Sequence, residues 1–254
     1  MDAKNAIKVE NLTAAYGFEV ILKNINFNVS RGEIFVVAGG SGCGKSTLLK
    51  NITGLAKTVS GRVTIAGKVM STEDGHDLSI LKKIGVLFQG GALIGSMTIA
   101  DNVALPIREH LDLPKKCVRD MARMKLELVG LAEYENYFPS QLSGGMKKRA
   151  ALARAMALNP EILFLDEPSS GLDPPTSAEI DELILKINSD MGATMFIITH
   201  ELASIFSIAK RVVMLDKKKK GIIAEGDPRF LKSNSKIPEV IKFFNSRASA
   251  APIE

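Results

Sequence analysis

The chain has 254 residues, 46% of them hydrophobic and 24% charged, enough to bury a full core and too apolar for extensive disorder. A net charge of +5 fits solvated lysines as well as phosphate or lipid-headgroup partners, so charge alone selects no function. Two distant cysteines, Cys43 and Cys117, and three scattered histidines lack metal-ligand spacing, the start "MDAKNAIKVE" lacks a signal-peptide core, and no stretch has membrane-span length; a cytosolic chain that does not itself cross a membrane is expected.

In chain order, "IKVENLTAAYG" and "ILKNINFNVSRGE" alternate polar and apolar residues, which predicts an antiparallel β region with one solvated face. "EIFVVAG" (33–39) is continuously apolar and leads through "GGSGCGKS" (39–46) into the helix "STLLKNITG". The same apolar, β-branched character returns in "KIGVLFQ" (83–89), "EILFLDE" (161–167), "TMFIITH" (194–200) and "RVVMLD" (211–216). Strands apolar on both faces predict a parallel sheet, hence an α/β fold. Between about 98 and 158 the strand signal vanishes and the sequence reads as an inserted helical subdomain, broken at Pro106, Pro114 and Pro139. The lysine run 217–220 reads as a solvated hairpin turn. Residues 1–227 therefore form the main unit. In 228–254, Ile237, Val240, Ile241 and Phe244 share a helical face for docking on the parent domain or on a partner, ahead of the tail "SRASAAPIE".

Two stretches carry chemistry. "GGSGCGKS" matches G-x-x-x-x-G-K-[ST] in its strand-before, helix-after context, so Gly39, Gly40, Ser41, Gly42, Cys43 and Gly44 present backbone N–H groups to phosphate. Lys45 would reach the β- and γ-phosphates and the Ser46 hydroxyl would ligate Mg²⁺. At the end of "EILFLDE", Asp166 would hold Mg²⁺ through water and Glu167 would polarise the attacking water. Cys43, beside a helix start, is expected to have a lowered thiol pKa. "LSGGMKKRAALARAMAL" (142–158) puts Ser143, Gly144 and Gly145 before a helix, either as a cap and turn or as a socket for an anion.

With these motifs in this order, 7–227 resembles the ATP-binding subunits of ABC transporters, P-loop NTPases with a parallel core sheet, an antiparallel β subdomain and an inserted helical subdomain. The resemblance implies ATP and Mg²⁺ as cofactors and catalytic roles for Glu167, His200, Gln89 and Lys45. Tyr16 would stack on adenine and Thr47 would join the loop contacts. Gln89 of "LFQGG" would sense the γ-phosphate and join the metal set, Asp173 of "SGLDP" would couple two sites, and His200 of "FIITH" would contact the γ-phosphate. In that family Ser143, Gly144 and Gly145 close on ATP held by the phosphate loop of a second copy, so two chains would pair. Met146 stands where glutamine is usual. That methionine and "LFQGGALIGSMTIADNVALPIREH" resemble most the Mla-type (maintenance of lipid asymmetry) ATPases. The narrower resemblance implies phospholipid trafficking with an inner-membrane permease dimer, a periplasmic MCE-domain ring and a STAS-type cytosolic subunit, from a position on the cytoplasmic face of the inner membrane and without nucleic acid.

Overall fold

The computed structural model describes residues 4–70 and 77–246. The tail "SRASAAPIE" lies, beyond Ser246, outside the described residues. β1 (Asn5–Tyr16) and β2 (Glu19–Ser30) form a hairpin, and β3 (Ile34–Gly39) leads through the 39–44 loop into α1 (Lys45–Ile52). β4 (Ser60–Ile65), β5 (Lys68–Val69), α2 (Leu78–Leu81) and β6 (Ile84–Leu87) follow. Next come α3 (Ile99–His110), α4 (Lys115–Leu128) and, after two 3₁₀ turns, α5 (Gly144–Ala155). β7 (Ile162–Asp166), α6 (Pro174–Met191), β8 (Thr194–Ile198), α7 (Leu202–Ile208), the β9 (Arg211–Asp216)–β10 (Gly221–Gly226) hairpin, α8 (Pro228–Asn234) and α9 (Pro238–Asn245) complete it.

One sheet is antiparallel, ordered β2-β1-β4-β5; the other has order β10-β9-β3-β8-β7-β6, parallel except for β10. The continuous apolarity of the parallel strands follows from burial on both faces. In β3, Ile34, Val36 and Ala38 enter the core shared with α3 to α7, whereas Phe35 and Val37 face α1 and the antiparallel sheet. β8 divides likewise, Met195 and Ile197 against Phe196 and Ile198. Phe27 of β2 bridges the sheets, stacking 5.1 Å from Phe35 and 6.0 Å from Phe196, and Phe164 closes on Phe196 at 5.4 Å. Each such ring contributes roughly 1.5–3 kcal/mol through burial. The cluster fixes β3, β7 and β8 as a rigid platform, and the 39–46 loop, Asp166, Glu167 and His200 sit at or just beyond the C-terminal ends of these strands.

Two local expectations change. Pro106 does not break the chain but lies inside α3. It removes one helical hydrogen bond, a cost of about 3 kcal/mol; Ile99, Val103 and Ile107, all fully buried on either side of it, hold both turns in place. At the C-terminus, Val240 and Phe244 are buried, while Ile237 and Ile241 remain 36% and 39% exposed. Phe244 packs 5.7 Å from Phe206 of α7, so α9 docks on its own domain, rotated such that Phe243 rather than the two isoleucines joins the contact. The lysine run is the expected turn: β9 and β10 pair antiparallel across it.

Candidate functional site

The loop after β3 needs glycine where backbone crowding is tightest. At Gly39 (φ +148°) a Cβ would lie 2.5 Å from the Leu215 carbonyl oxygen, and at Gly44 (φ +101°) 2.9 Å from Leu22 Cδ2. The loop is thus pressed onto β9 and β2 and turns its outer side to an open cleft of about 600 Å³. No side chain caps the start of α1, so its first N–H groups stay available. Lys45 Nζ, over the loop, donates to the carbonyls of Gly39 at 2.9 Å and Gly40 at 3.2 Å.

Tyr16, Gly39, Gly40, Ser41, Gly42, Gly44, Lys45, Ser46, Thr47, Gln89, Glu167 and His200 all line this cleft. Asp166 joins it from below: Ser46 Oγ donates to its Oδ1 at 3.5 Å. Burial pushes the Asp166 carboxyl above its usual range, with the Ser46 hydroxyl opposing the shift. These two oxygen donors suit Mg²⁺, and among the described residues no group of three or more His, Cys, Asp or Glu could hold a metal unaided. Mg²⁺ usually takes one or two protein oxygens together with water and substrate phosphate, a role that Ser46 and Asp166 fit.

Glu167 is nearly buried and adopts a left-handed backbone, φ +51°. Its N–H donates to the Ile198 carbonyl at 2.8 Å, pinning it to the end of β8. Oε1 lies 2.7 Å from His200 Nδ1, whereas Oε2 has no hydrogen-bond partner in the described protein. A buried carboxylate at the cleft wall, with one oxygen held and the other without a partner, can accept a proton from water.

Other residues fall elsewhere. Cys43 is buried at 2% exposure behind the loop rather than in the cleft, and burial raises its thiol pKa, outweighing the lowering effect of Lys45. The expectation of a lowered thiol pKa is therefore wrong: the helix start is near, but desolvation dominates. Ser143, Gly144, Gly145 and Asp173 lie outside the cleft. Ser143 caps α5 by accepting from Met146 N at 3.3 Å, and Asp173 caps α6 by accepting from Thr176 N at 3.2 Å; the Thr176 hydroxyl also donates to Asp173 at 2.7 Å, which lowers its carboxyl pKa. A Cβ at Gly145 would lie 2.6 Å from Thr176 Cγ2, so that glycine lets the starts of α5 and α6 touch.

Four contributors escaped the sequence reading. Ile21 of β2 and Phe243 and Ser246 of the C-terminal segment line the cleft. Lys148 of α5 is buried, which lowers its ammonium pKa, and it reaches toward the cleft residues from behind. Its signal was present, since Gly145, Lys148 and Leu152 share one helical face and a cation on such a stripe needs buried acceptors.

A glycine loop opening a helix from a parallel strand, an acidic pair at the end of another strand and a histidine on the next define a P-loop nucleotide hydrolase. A family model described as ABC transporter matches residues 22–170. Over 243 residues, 95% of this chain and 69% of the relative, the chain is 40% identical to the probable ribonucleotide transport ATP-binding protein mkl of Mycobacterium leprae. It is 41% identical to the intermembrane phospholipid transport system ATP-binding protein MlaF of Haemophilus influenzae, covering 88% of this chain and 84% of that one. It is also 41% identical to the methionine import ATP-binding protein MetN 1 of Listeria monocytogenes, covering 90% and 67%. A dimeric structure of the ATP-binding cassette MJ0796 with ADP and Pi superposes with a TM-score of 0.77 at 34% identity, covering 87% of this chain and 98% of that one. The chain belongs to the ABC transporter family. It is an ATPase that uses ATP with Mg²⁺, and ATPases of this family dimerise and work with membrane permeases. Among the described residues no helix is long and apolar enough to cross a membrane.

Proposed function

We propose that this chain powers phospholipid movement between the inner and outer membranes, as one of two copies on the cytoplasmic face of an inner-membrane permease dimer. A periplasmic MCE-domain ring and a small STAS-type subunit complete the assembly, and nucleic acid has no part in it. Residues 1–227 form the nucleotide-binding unit, with 98–158 inserted, and 228–254 the C-terminal helix and tail. Support for the lipid substrate is the similarity to MlaF together with Met146 and the segment after Gln89. The equal identity to MetN 1 favours a second reading, an importer of a small solute such as an amino acid.

In the catalytic reading, the free Glu167 Oε2 is the observation that carries the site. Tyr16, 78% exposed at the rim, stacks on adenine, while the loop from Gly39 to Thr47 and Lys45 hold the phosphates. Ser46, Asp166 through water, and Gln89 would hold the Mg²⁺, which would supply charge neutralisation to the phosphates. Glu167 takes a proton from water as the water oxygen bonds to the γ-phosphorus and the bond to the ADP oxygen breaks. His200, fixed through Nδ1 by Glu167, offers Nε2 to the γ-phosphate; in the imidazolium form both nitrogens donate. Ser143, Gly144 and Gly145 of one copy, with Asp173 beside them, complete the site of the other.

The test is reconstitution of the chain with its co-purified permease in vesicles carrying a fluorescent phospholipid. ATP-dependent loss of the phospholipid to acceptor membranes is expected. ATP-driven uptake of methionine, without lipid movement, would overturn the lipid reading in favour of the second.

A further inference from the structure

Lys148 lies outside the cleft yet joins two of its residues from behind. Its ammonium, on a side chain only 8% exposed, donates to the Gln89 carbonyl at 2.6 Å and to the Glu167 carbonyl at 2.9 Å. Six residues further along α5, Arg154 donates to the carbonyls of Gly91 at 2.8 Å and Ala92 at 2.6 Å. The segment 89–92 is therefore strapped along α5 by two cations, with Ala92 in a left-handed conformation, φ +49°, as its carbonyl meets Arg154. Of the two straps, only Lys148 also reaches β7's end.

Bonds from an ionised donor to a carbonyl contribute about 1.5–3 kcal/mol each, enough to fix backbone orientation. The Glu167 carbonyl also accepts from Ser170, N at 3.3 Å and Oγ at 3.1 Å, so Lys148 is not needed merely to satisfy that oxygen. What Lys148 adds is a link between three things: the start of α5 at Ser143, the backbone of Gln89 and the backbone of Glu167. A helix is stiff over the turn and a half from Ser143 to Lys148, so a shift at its start moves the ammonium with it.

We propose that Lys148 is a positioning residue for hydrolysis, holding Gln89 and Glu167 in register with the seat of α5, so that the site is aligned when the α5 start is seated. The inference rests on the roles given above to Gln89 and Glu167. Lys148 touches no substrate, and its removal should lower turnover without weakening nucleotide binding.

The experiment uses the full chain, with steady-state ATP hydrolysis, affinity for a fluorescent ATP analogue and melting temperature measured for Lys148→Met, Lys148→Gln and Lys148→Arg beside Glu167→Gln. Lys148→Met should lose about tenfold or more in kcat, equivalent to about 1.4 kcal/mol, with analogue affinity and KM within about twofold of the parent. Lys148→Arg, which can reach both carbonyls, should restore kcat to within about threefold. Should the methionine variant not fold, Lys148→Gln, one atom shorter and unable to span both carbonyls, carries the test with the same expected loss of kcat. Unchanged kcat in either variant overturns the inference. Parallel losses of kcat, analogue binding and melting temperature without rescue by arginine also overturn it, assigning Lys148 to stability alone. If Glu167→Gln is inactive while Lys148→Met hydrolyses normally, only the Lys148 inference fails; if Glu167→Gln hydrolyses normally, the site reading beneath it fails as well.

Discussion

Two glycine-rich helix starts in this chain use similar residues in opposite ways. The start of α1 has no side-chain cap, has glycines with positive φ at 39, 42 and 44, and opens on a cleft where Lys45, Gln89, Glu167 and His200 converge. The start of α5 is capped by Ser143, its Gly145 is buried against Thr176, and it does not line that cleft. Glycine at the first start shapes a binding loop; glycine at the second lets two helices meet. Within one chain the first lines an open cleft; under the proposed pairing, another copy would bring a nucleotide to the second.

Glu167→Gln probes the first start most severely. Loss of the proton acceptor should reduce ATP turnover by about 10²-fold or more with analogue binding retained, and the bound state should run as a dimer in sizing chromatography. A monomer that still binds nucleotide would deny the second start its role. Lys45→Ala removes charge-assisted contacts of about 1.5–3 kcal/mol, so titration calorimetry should show ATP affinity falling roughly tenfold to a hundredfold; unchanged affinity would separate the loop from phosphate.

The wall behind the second start carries a pH-dependent load. Asp181 of α6 is buried, and burial pushes its carboxyl pKa up to about 6, against the usual 3.8, with a bond from Ser204 opposing the rise. A raised acid pKa means that folding favours the protonated form, so this group's contribution is best below about pH 4 and is lost as pH rises to about 6. Asp181→Asn should therefore melt higher than the parent at pH 8, by about 1–3 kcal/mol, and the advantage should vanish at pH 4. An equal difference at both pH values would break the linkage. Last, Gly145→Ala should cost about 1–2 kcal/mol through its clash with Thr176, seen as a melting temperature lower by roughly 3–6 °C. Gly40→Ala, with open space around it, should leave melting unchanged but weaken ATP binding. The reverse pattern would exchange the roles assigned to the two starts.

The parallel strands were legible because burial on both faces leaves continuous apolar runs, and the phosphate loop because close contacts demand glycine at 39 and 44, with Lys45 and Ser46 following at fixed spacing. Less local properties were not. Pro106 looked like a break because the burial of Ile99, Val103 and Ile107 that overrides it is tertiary. Ile237 and Ile241 fit a helical stripe, but Phe206 selected a different rotation of α9. Proximity to a helix start suggested an acidic Cys43 thiol; only the fold shows that the side chain points into the core. The partners of Lys148 lie 59 and 19 residues away in sequence, beyond the reach of any periodic pattern.

Glu167 holds a left-handed conformation that an amino acid with a side chain enters at a cost and glycine enters freely. Glycine at 167 would relax the backbone but would also remove the carboxylate that holds His200 and to which the proton-accepting role is assigned. Glutamate at 167 thus stands against the local preference of the backbone, a cost that the proposed work of its carboxylate would explain.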